Sequence, residues 1–172
     1  MENILQKLPK NSYFIFREYY LDKDNRFSLA KKLKEVANKR HIKFIVAMDF
    51  DLARKVGADG VHFSDHKKLP FSFFSRNLFK KNFIFSYSCH NLKSALFSHK
   101  NGFDLNFISP IFTTTSHADS NILGKIGYLK ILHKCPNILP LGGINNKNIT
   151  FIKKSGALGF GAIDYFNYLK DE

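Results

Sequence analysis

The chain of 172 residues contains no tryptophan, two cysteines and few acidic residues. Cys89 and Cys135 stand singly without CxxC spacing, so the sequence predicts neither a disulfide nor a cysteine-based zinc site. No apolar run approaches the ~18 residues that cross a membrane. The first ten residues also lack the apolar core of a signal peptide. These absences predict a cytoplasmic protein with no membrane partner.

Basic residues outnumber acidic ones, 27 against 14, which gives a formal net charge of +13. Such an excess suits anionic partners, either nucleic acid or phosphorylated metabolites. The lysines are scattered, in pairs such as Lys31 and Lys32, as expected of charge that mainly solvates a surface. Because no RNA-binding signature or recognition-helix pattern is found, no specific nucleic-acid partner is predicted.

Hydrophobic residues make up 44% of the chain and aromatics 15%, a composition that excludes a disordered segment. The length favours a single domain spanning residues 1–172. Short apolar runs alternate with amphipathic stretches along it. The predicted strands are Ser12–Arg17, Lys43–Met48, Asp59–Phe63, Phe83–Tyr87, Asp104–Ser109, Ile138–Gly142 and Leu158–Ile163. The predicted helices are Arg26–Lys39, Asp51–Val56, Phe71–Phe79, Asn91–Lys100, Lys125–His133 and Asn146–Ser155.

Repeated strand–helix units predict a parallel sheet with right-handed crossovers. Both a doubly wound sheet and a closed barrel fit this pattern, and the absence of a GxGxxG motif favours a TIM-type (β/α)8 barrel. Residues 1–10 resemble a helix that leads straight into the first apolar run. With seven runs instead of eight, the expected fold is an α/β barrel that lacks its first strand or has it truncated.

Polar and glycine residues follow the apolar runs directly, where the active site of such a barrel lies. At this point the chain resembles the thiamine-phosphate synthase/TenI family. The resemblance covers about residues 12–166 and rests on ordered motifs: GADGVHF (57–63), SCH (88–90), SPIFTTTSH (109–117), LGGI (141–144) and GALGFGAI (156–163).

The resemblance implies a barrel enzyme of thiamine biosynthesis, often dimeric, that acts on phosphorylated small molecules. Synthases of this family join a pyrimidine diphosphate to a thiazole phosphate with Mg²⁺ and release pyrophosphate. TenI-like members instead isomerise a thiazole carboxylate phosphate without metal. In this chain SPxFxTxSH stands where the family usually has GPxxPTxTK.

The resemblance also implies roles for individual residues. Arg17, Ser88, His90 and His117 would be catalytic, with Arg17 and Ser88 near the diphosphate and His90 in proton transfer. Asp49 matches a magnesium ligand. The second magnesium aspartate would fall near Lys67, with Asp65 two residues away. The predicted phosphate-binding residues are Thr114, Ser116, Gly142, Gly143, Gly161 and Ala162.

Several residues have a simpler structural interpretation. His62 would fill the protein interior, and Arg17 would form an internal ion pair. Ser88 and His90 would belong to a polar turn that begins the next helix. Asn145 and Asn146 would cap the helix after them.

Three functions therefore stay open: a synthase, a metal-independent isomerase and a non-catalytic barrel that binds a phosphorylated ligand. The missing first strand is expected to reflect either a start codon assigned too late or a shortened barrel.

Overall fold

A computed structural model describes residues 1–65, 82–114 and 121–167. Their strands are β1 (Tyr13–Phe16), β2 (Lys43–Ala47), β3 (Gly60–Ser64), β4 (Ile84–Cys89), β5 (Leu105–Ile108) and β6 (Ile138–Pro140). Their helices are α1 (Glu2–Lys7), α2 (Lys23–Lys39), α3 (Phe50–Lys55), α4 (Leu92–Lys100), α5 (Gly124–Lys134), α6 (Ile149–Lys154) and α7 (Asp164–Asn167). The sheet order follows the chain order from β1 to β6. The predicted α/β fold with parallel strands is confirmed.

The prediction of a seventh strand at Leu158–Ile163 is wrong. This segment is irregular, and Gly161 donates one backbone hydrogen bond of 2.9 Å to the Pro140 carbonyl at the end of β6. Two glycines in this short run weaken a strand, because glycine has the largest conformational freedom to lose. The predicted helix Phe71–Phe79 lies outside the described residues.

The described residues cluster in two compact units. The first unit contains residues 1–63 and 82–85, and the second contains residues 64–65, 86–114 and 121–167. A single domain over residues 1–172 stays a prediction. No described helix is long and apolar enough to cross a membrane.

Stacked phenylalanines form the core of the first unit. Phe16 of β1 lies 5.7 Å from Phe44 of β2, and Phe63 of β3 lies 6.5 Å from Phe85, measured between ring centroids. All four rings are almost wholly inaccessible to solvent. The apolar runs of β2 and β3 thus become strands whose side chains are mostly buried, as is typical of parallel strands, whereas β1 is only partly buried.

A buried ion pair links helix α2 to the sheet of the first unit. The Lys34 ammonium donates to the Asp59 carboxylate at 2.6 Å, and the Phe44 amide donates to the same oxygen at 2.8 Å. Burial alone would raise the pKa of Asp59, but these hydrogen bonds lower it below its ordinary value. Lys34 therefore lies on the buried side of α2.

The second unit has its own core around β5 and β6. Ile108 and Ile138 are buried, and Tyr87 packs on Phe103 with ring centroids 4.8 Å apart. A neighbouring apolar cluster of Ile144, Ile149 and Ile152 anchors the segment that follows β6. This rigid packing fixes the loops at the carboxyl ends of the strands, where the candidate site residues are found.

Candidate active site

Arg17 is the first residue after β1, and its side chain is exposed to solvent. Within the described part of the chain it has no hydrogen bond and no ion pair. The internal ion pair suggested as its structural role is therefore not found there. An exposed guanidinium at the end of a strand is free to bind a planar pair of anionic oxygens.

Asp49 directly precedes helix α3, and each of its two carboxylate oxygens has a partner in the first unit. Its Oδ1 accepts a hydrogen bond of 2.9 Å from the Leu52 amide, which makes it the N-cap of α3. Its Oδ2 lies 2.5 Å from Nη1 of Arg26. The same guanidinium donates from Nη2 to the Ala47 carbonyl at 3.1 Å. No local pattern in the sequence predicts this contact of Arg26.

His62 of β3 is buried, with 4% of its surface exposed, as its structural interpretation predicts. Burial lowers the pKa of His62 to about 3, and the positive charge of Arg17 acts in the same direction. The ring is therefore neutral at neutral pH, which makes it unsuited to binding an anion by charge.

This shift predicts a pH-dependent stability. Below the ordinary pKa of 6.5 the unfolded chain takes up a proton that folded His62 refuses until about pH 3. The free energy of unfolding should therefore fall as the pH drops from about 6.5 towards 4, by up to ~1.4 kcal/mol per pH unit. Urea denaturation at pH 7, 5.5 and 4.5 measures it. A His62→Gln variant should show a shallower slope, and equal slopes would contradict the assignment.

His90, the first residue after β4, directs its ring at two oxygens of the second unit. Its Nδ1 lies 2.9 Å from the Ser109 carbonyl oxygen, and its Nε2 lies 3.5 Å from Oδ1 of Asp65. The Asp65 side chain is 10% exposed and that of His90 is 30% exposed. Each ring nitrogen of His90 therefore faces one oxygen atom of the second unit.

The turn around His90 also initiates a helix, as the structural interpretation predicts. Asn91 is the N-cap of α4 and forms a capping box with Ser94, while the His90 amide donates to Ser94 Oγ at 3.1 Å. The His90 backbone thus contributes to the start of the helix, while its ring faces Ser109 and Asp65. Ser88 lies within β4, opposite Phe107 of β5, and is half-buried.

Gly142 and Gly143 form the turn after β6, with φ angles of +94° and +66°. A Cβ on Gly142 would lie 2.9 Å from Pro110 Cα, and one on Gly143 would lie 2.3 Å from the Thr113 carbonyl oxygen. The sequence suggested these glycines for approach to an anion, but their immediate requirement is contact with residues 110–113. Within the described residues their N–H groups have no acceptor.

The remaining predicted phosphate-binding residues differ in what the structure says of them. Gly161 uses its N–H for the bond to Pro140, so this amide is not free to bind an anion. Thr114 and Ala162 are half-buried. Ser116 and His117 lie outside the described residues.

The prediction that Asn145 and Asn146 cap the helix after Gly143 is wrong. Its N-cap is Asn148, whose side-chain amide donates to the Gly143 carbonyl at 2.8 Å. Asn145 accepts from the Lys147 amide at 2.9 Å and so forms a turn before the helix. Short polar side chains compete locally for backbone partners, and the sequence does not show which one wins.

The carboxylates considered for magnesium do not fit a metal site as they stand. Asp49 is occupied by Arg26, and Asp65 faces His90. The sequence has no aspartate or glutamate between residues 66 and 103 to replace them. Mg²⁺ is held by carboxylate or carbonyl oxygens in near-octahedral geometry. The described residues contain no cluster of three or more His, Cys, Asp or Glu side chains able to hold a metal.

Comparison with known proteins decides the family. A family model described as thiamine monophosphate synthase matches residues 2–165. The chain belongs to the thiamine monophosphate synthase family. A protein of Aquifex aeolicus, provisionally named a second thiamine-phosphate synthase, is 35% identical over 155 residues, covering 87% of this chain and 80% of its own. The thiamine-phosphate synthase of Thermoplasma acidophilum is 33% identical over 152 residues, covering 84% and 68%.

A solved structure supports the fold of this thiamine monophosphate synthase family member. The thiamine phosphate pyrophosphorylase of Pyrococcus furiosus superposes with a TM-score of 0.76 at 23% identity, over 94% of this chain and 76% of that one. The expected TIM-type α/β fold is thereby confirmed. The family acts on phosphorylated small molecules, which agrees with the cationic and glycine residues at the strand ends.

Proposed function

We propose that this chain is a thiamine-phosphate synthase. It joins a hydroxymethylpyrimidine diphosphate to a thiazole phosphate and releases pyrophosphate. The observation that carries the proposal is the match of the family model over residues 2–165. Relatives named thiamine-phosphate synthase, 30–33% identical over more than four-fifths of this chain, support it.

The reaction sets clear demands on the protein. The bond between the pyrimidine methylene carbon and the diphosphate oxygen breaks, and the thiazole nitrogen supplies its lone pair to form the new C–N bond. Pyrophosphate leaves with the electron pair and with added negative charge. The protein must therefore hold two phosphorylated reactants in line and stabilise charge on the departing group.

Arg17 is proposed to bind the diphosphate. Its exposed guanidinium has no acidic partner among the described residues and follows a strand end directly. Its several N–H donors can bind two phosphate oxygens together. Ser88, placed in β4 near the same strand end as His90, is proposed to add a hydroxyl contact.

The turn at Gly142 and Gly143 is proposed to hold the phosphate of the thiazole. Two successive residues with positive φ and amides without an internal acceptor form the kind of concave backbone that binds anions. Thr114, Ser116, Gly161 and Ala162 stay proposed contributors, although the Gly161 amide already donates to the Pro140 carbonyl.

His90 is proposed to donate a proton or a charged hydrogen bond to the leaving pyrophosphate. The Ser109 carbonyl lies 2.9 Å from Nδ1 of its ring, and Nε2 faces Asp65 Oδ1 at 3.5 Å. His117, in place of the family's lysine, is proposed to act on the same group when protonated. A cation beside developing negative charge lowers the barrier to departure.

The pairing of His90 with Asp65 also favours a second candidate, a TenI-like isomerase. Isomerisation of a thiazole carboxylate phosphate removes a proton at one carbon and returns it at another, and this chemistry requires a general acid–base group. A histidine oriented by a carboxylate provides one. This activity would require no metal.

One set of assays tests both candidates. The purified chain is incubated with the pyrimidine diphosphate and thiazole phosphate, with Mg²⁺ or with EDTA, and thiamine phosphate is measured as its fluorescent oxidation product. Formation of the product is the expected result. In parallel, the thiazole tautomer alone is followed by NMR. Turnover of the tautomer without condensation would favour the isomerase, and no turnover in either assay would overturn both.

The remaining proposals concern partners and location. Phosphorylated small molecules are the expected ligands, and a homodimer is predicted from the family resemblance alone. A cytoplasmic location and the absence of a specific nucleic-acid partner also stay predictions.

A further inference from the structure

We propose that Arg26 fills the cation position that Asp49 offers, so that Asp49 positions an arginine instead of ligating a divalent metal. This inference rests on the proposed function, because it concerns the place where family synthases use magnesium. The site would then need no divalent metal at Asp49, because the first unit supplies a fixed cation, the Arg26 guanidinium.

The contacts of Arg26 show that it is held from several sides. Nη1 binds Asp49 at 2.5 Å and Nη2 donates to the Ala47 carbonyl at 3.1 Å. The guanidinium also lies over the rings of Phe16 and Tyr19, 5.8 Å and 5.6 Å from their centroids. Its side chain is 14% exposed. A cation held by a carboxylate, a carbonyl and two aromatic faces is fixed in place.

The contacts of Asp49 leave little for a metal. One oxygen caps helix α3 through the Leu52 amide, and the other binds Arg26. A divalent ion would have to displace the guanidinium and leave its largely buried charge without an acidic partner, which is unfavourable. It would also have to break the cap or share a single oxygen.

The backbone before Asp49 supports a positioning role. Met48 adopts a φ of +58°, a conformation that non-glycine residues rarely take, and its amide donates to the His62 carbonyl at 2.9 Å. Directly after it, Asp49 starts α3 with its carboxylate beside the Arg26 guanidinium. The chain therefore holds a strained residue next to the carboxylate that pairs with Arg26.

Manganese binding tests the proposal, because Mn²⁺ replaces Mg²⁺ and is detected by electron paramagnetic resonance without substrates. The full chain is compared with Asp49→Asn and with Asp51→Asn, a matched control whose side chain is 83% exposed. All three should bind Mn²⁺ equally weakly. Stoichiometric binding that Asp49→Asn abolishes and Asp51→Asn retains would overturn the proposal.

The second part of the experiment looks for a gain of Mn²⁺ binding when Arg26 is replaced. Arg26→Gln frees the Asp49 carboxylate and should raise Mn²⁺ affinity about tenfold, because a competing positive charge is removed. Arg26→Lys keeps a charge and should raise it less, and Arg26→Gln combined with Asp49→Asn should lose the gain. Unchanged affinity in Arg26→Gln would count against the proposal. If Arg26→Gln does not fold, the Asp49→Asn comparison still decides.

The substrate assay separates this proposal from the proposed function. Product formation that is equal with EDTA and with Mg²⁺ supports a built-in cation. Failure to turn over under any condition counts against the synthase alone, since Mn²⁺ binding is measured without substrate. Turnover by the parent chain that requires Mg²⁺ would overturn the role of Arg26 as the built-in cation.

Discussion

Replacing His90 by alanine is expected to lower the kcat of the proposed transfer by about 10²- to 10³-fold, the range typical of a lost acid–base group. The imidazole lies 2.9 Å from the Ser109 carbonyl oxygen and 3.5 Å from Asp65 Oδ1. The variant removes this positioned ring, which is the proposed proton donor. Steady-state rates of product formation measure the loss, and KM should change far less than kcat.

Two further variants separate chemistry from folding. His99→Ala removes an exposed histidine of α4 whose Nδ1 lies 3.1 Å from Asn137 Oδ1, and it should leave kcat unchanged. Asp65→Asn keeps the shape but removes the carboxylate that faces Nε2 of His90 at 3.5 Å, so it should lower kcat without unfolding the protein. If His90→Ala turned over as fast as His99→Ala, the catalytic role of His90 would be wrong.

Gly143→Ala is expected to destabilise the protein by about 3 kcal/mol or more and to abolish phosphate-ligand binding. The added Cβ would lie 2.3 Å from the Thr113 carbonyl oxygen and 2.8 Å from Phe112, which are backbone and near-backbone atoms that cannot yield cheaply. The positive φ of +66° adds strain of about 1 kcal/mol. Chemical denaturation and calorimetric titration with thiazole phosphate measure the two effects.

Gly57→Ala is the matched control, because it isolates the strain of positive φ. Gly57 has a φ of +64°, and an added Cβ would meet no atom of the described chain within 4 Å. This variant should lose about 1 kcal/mol and keep its ligand binding. If Gly143→Ala lost no more stability than Gly57→Ala, the close approach of residues 110–113 to the turn would be disproved.

Local patterns were sufficient to predict much of the secondary structure. Helix α2 was expected to begin at Arg26 and begins at Lys23, because Asp22 caps it with hydrogen bonds to the Asp24 and Asn25 amides. Gly57, Gly102 and Gly156 each follow a helix and have positive φ, at +64°, +65° and +84°, the conformation that glycine adopts most easily after a helix. Periodicity and capping act over a few residues, so a sequence displays them directly.

Single site residues at strand ends could be predicted from the sequence. Their partners in the folded protein could not. Arg17 and His90 follow β1 and β4 as expected. The partners of His90 and Asp49 were missed, since Asp65 lies 25 residues before His90 and Arg26 lies 23 residues before Asp49. No local signal links residues so far apart.

Local patterns and ordered motifs were enough to predict most of the alternation of strands and helices, and the family, because these depend on neighbouring residues. Three other features are seen only in the folded chain: Arg26 pairs with the Asp49 carboxylate, Asp65 faces His90, and the Thr113 backbone requires a glycine at position 143. These pairings depend on which distant segments the folded strands bring within hydrogen-bond distance. Such distances exist only after the core has packed.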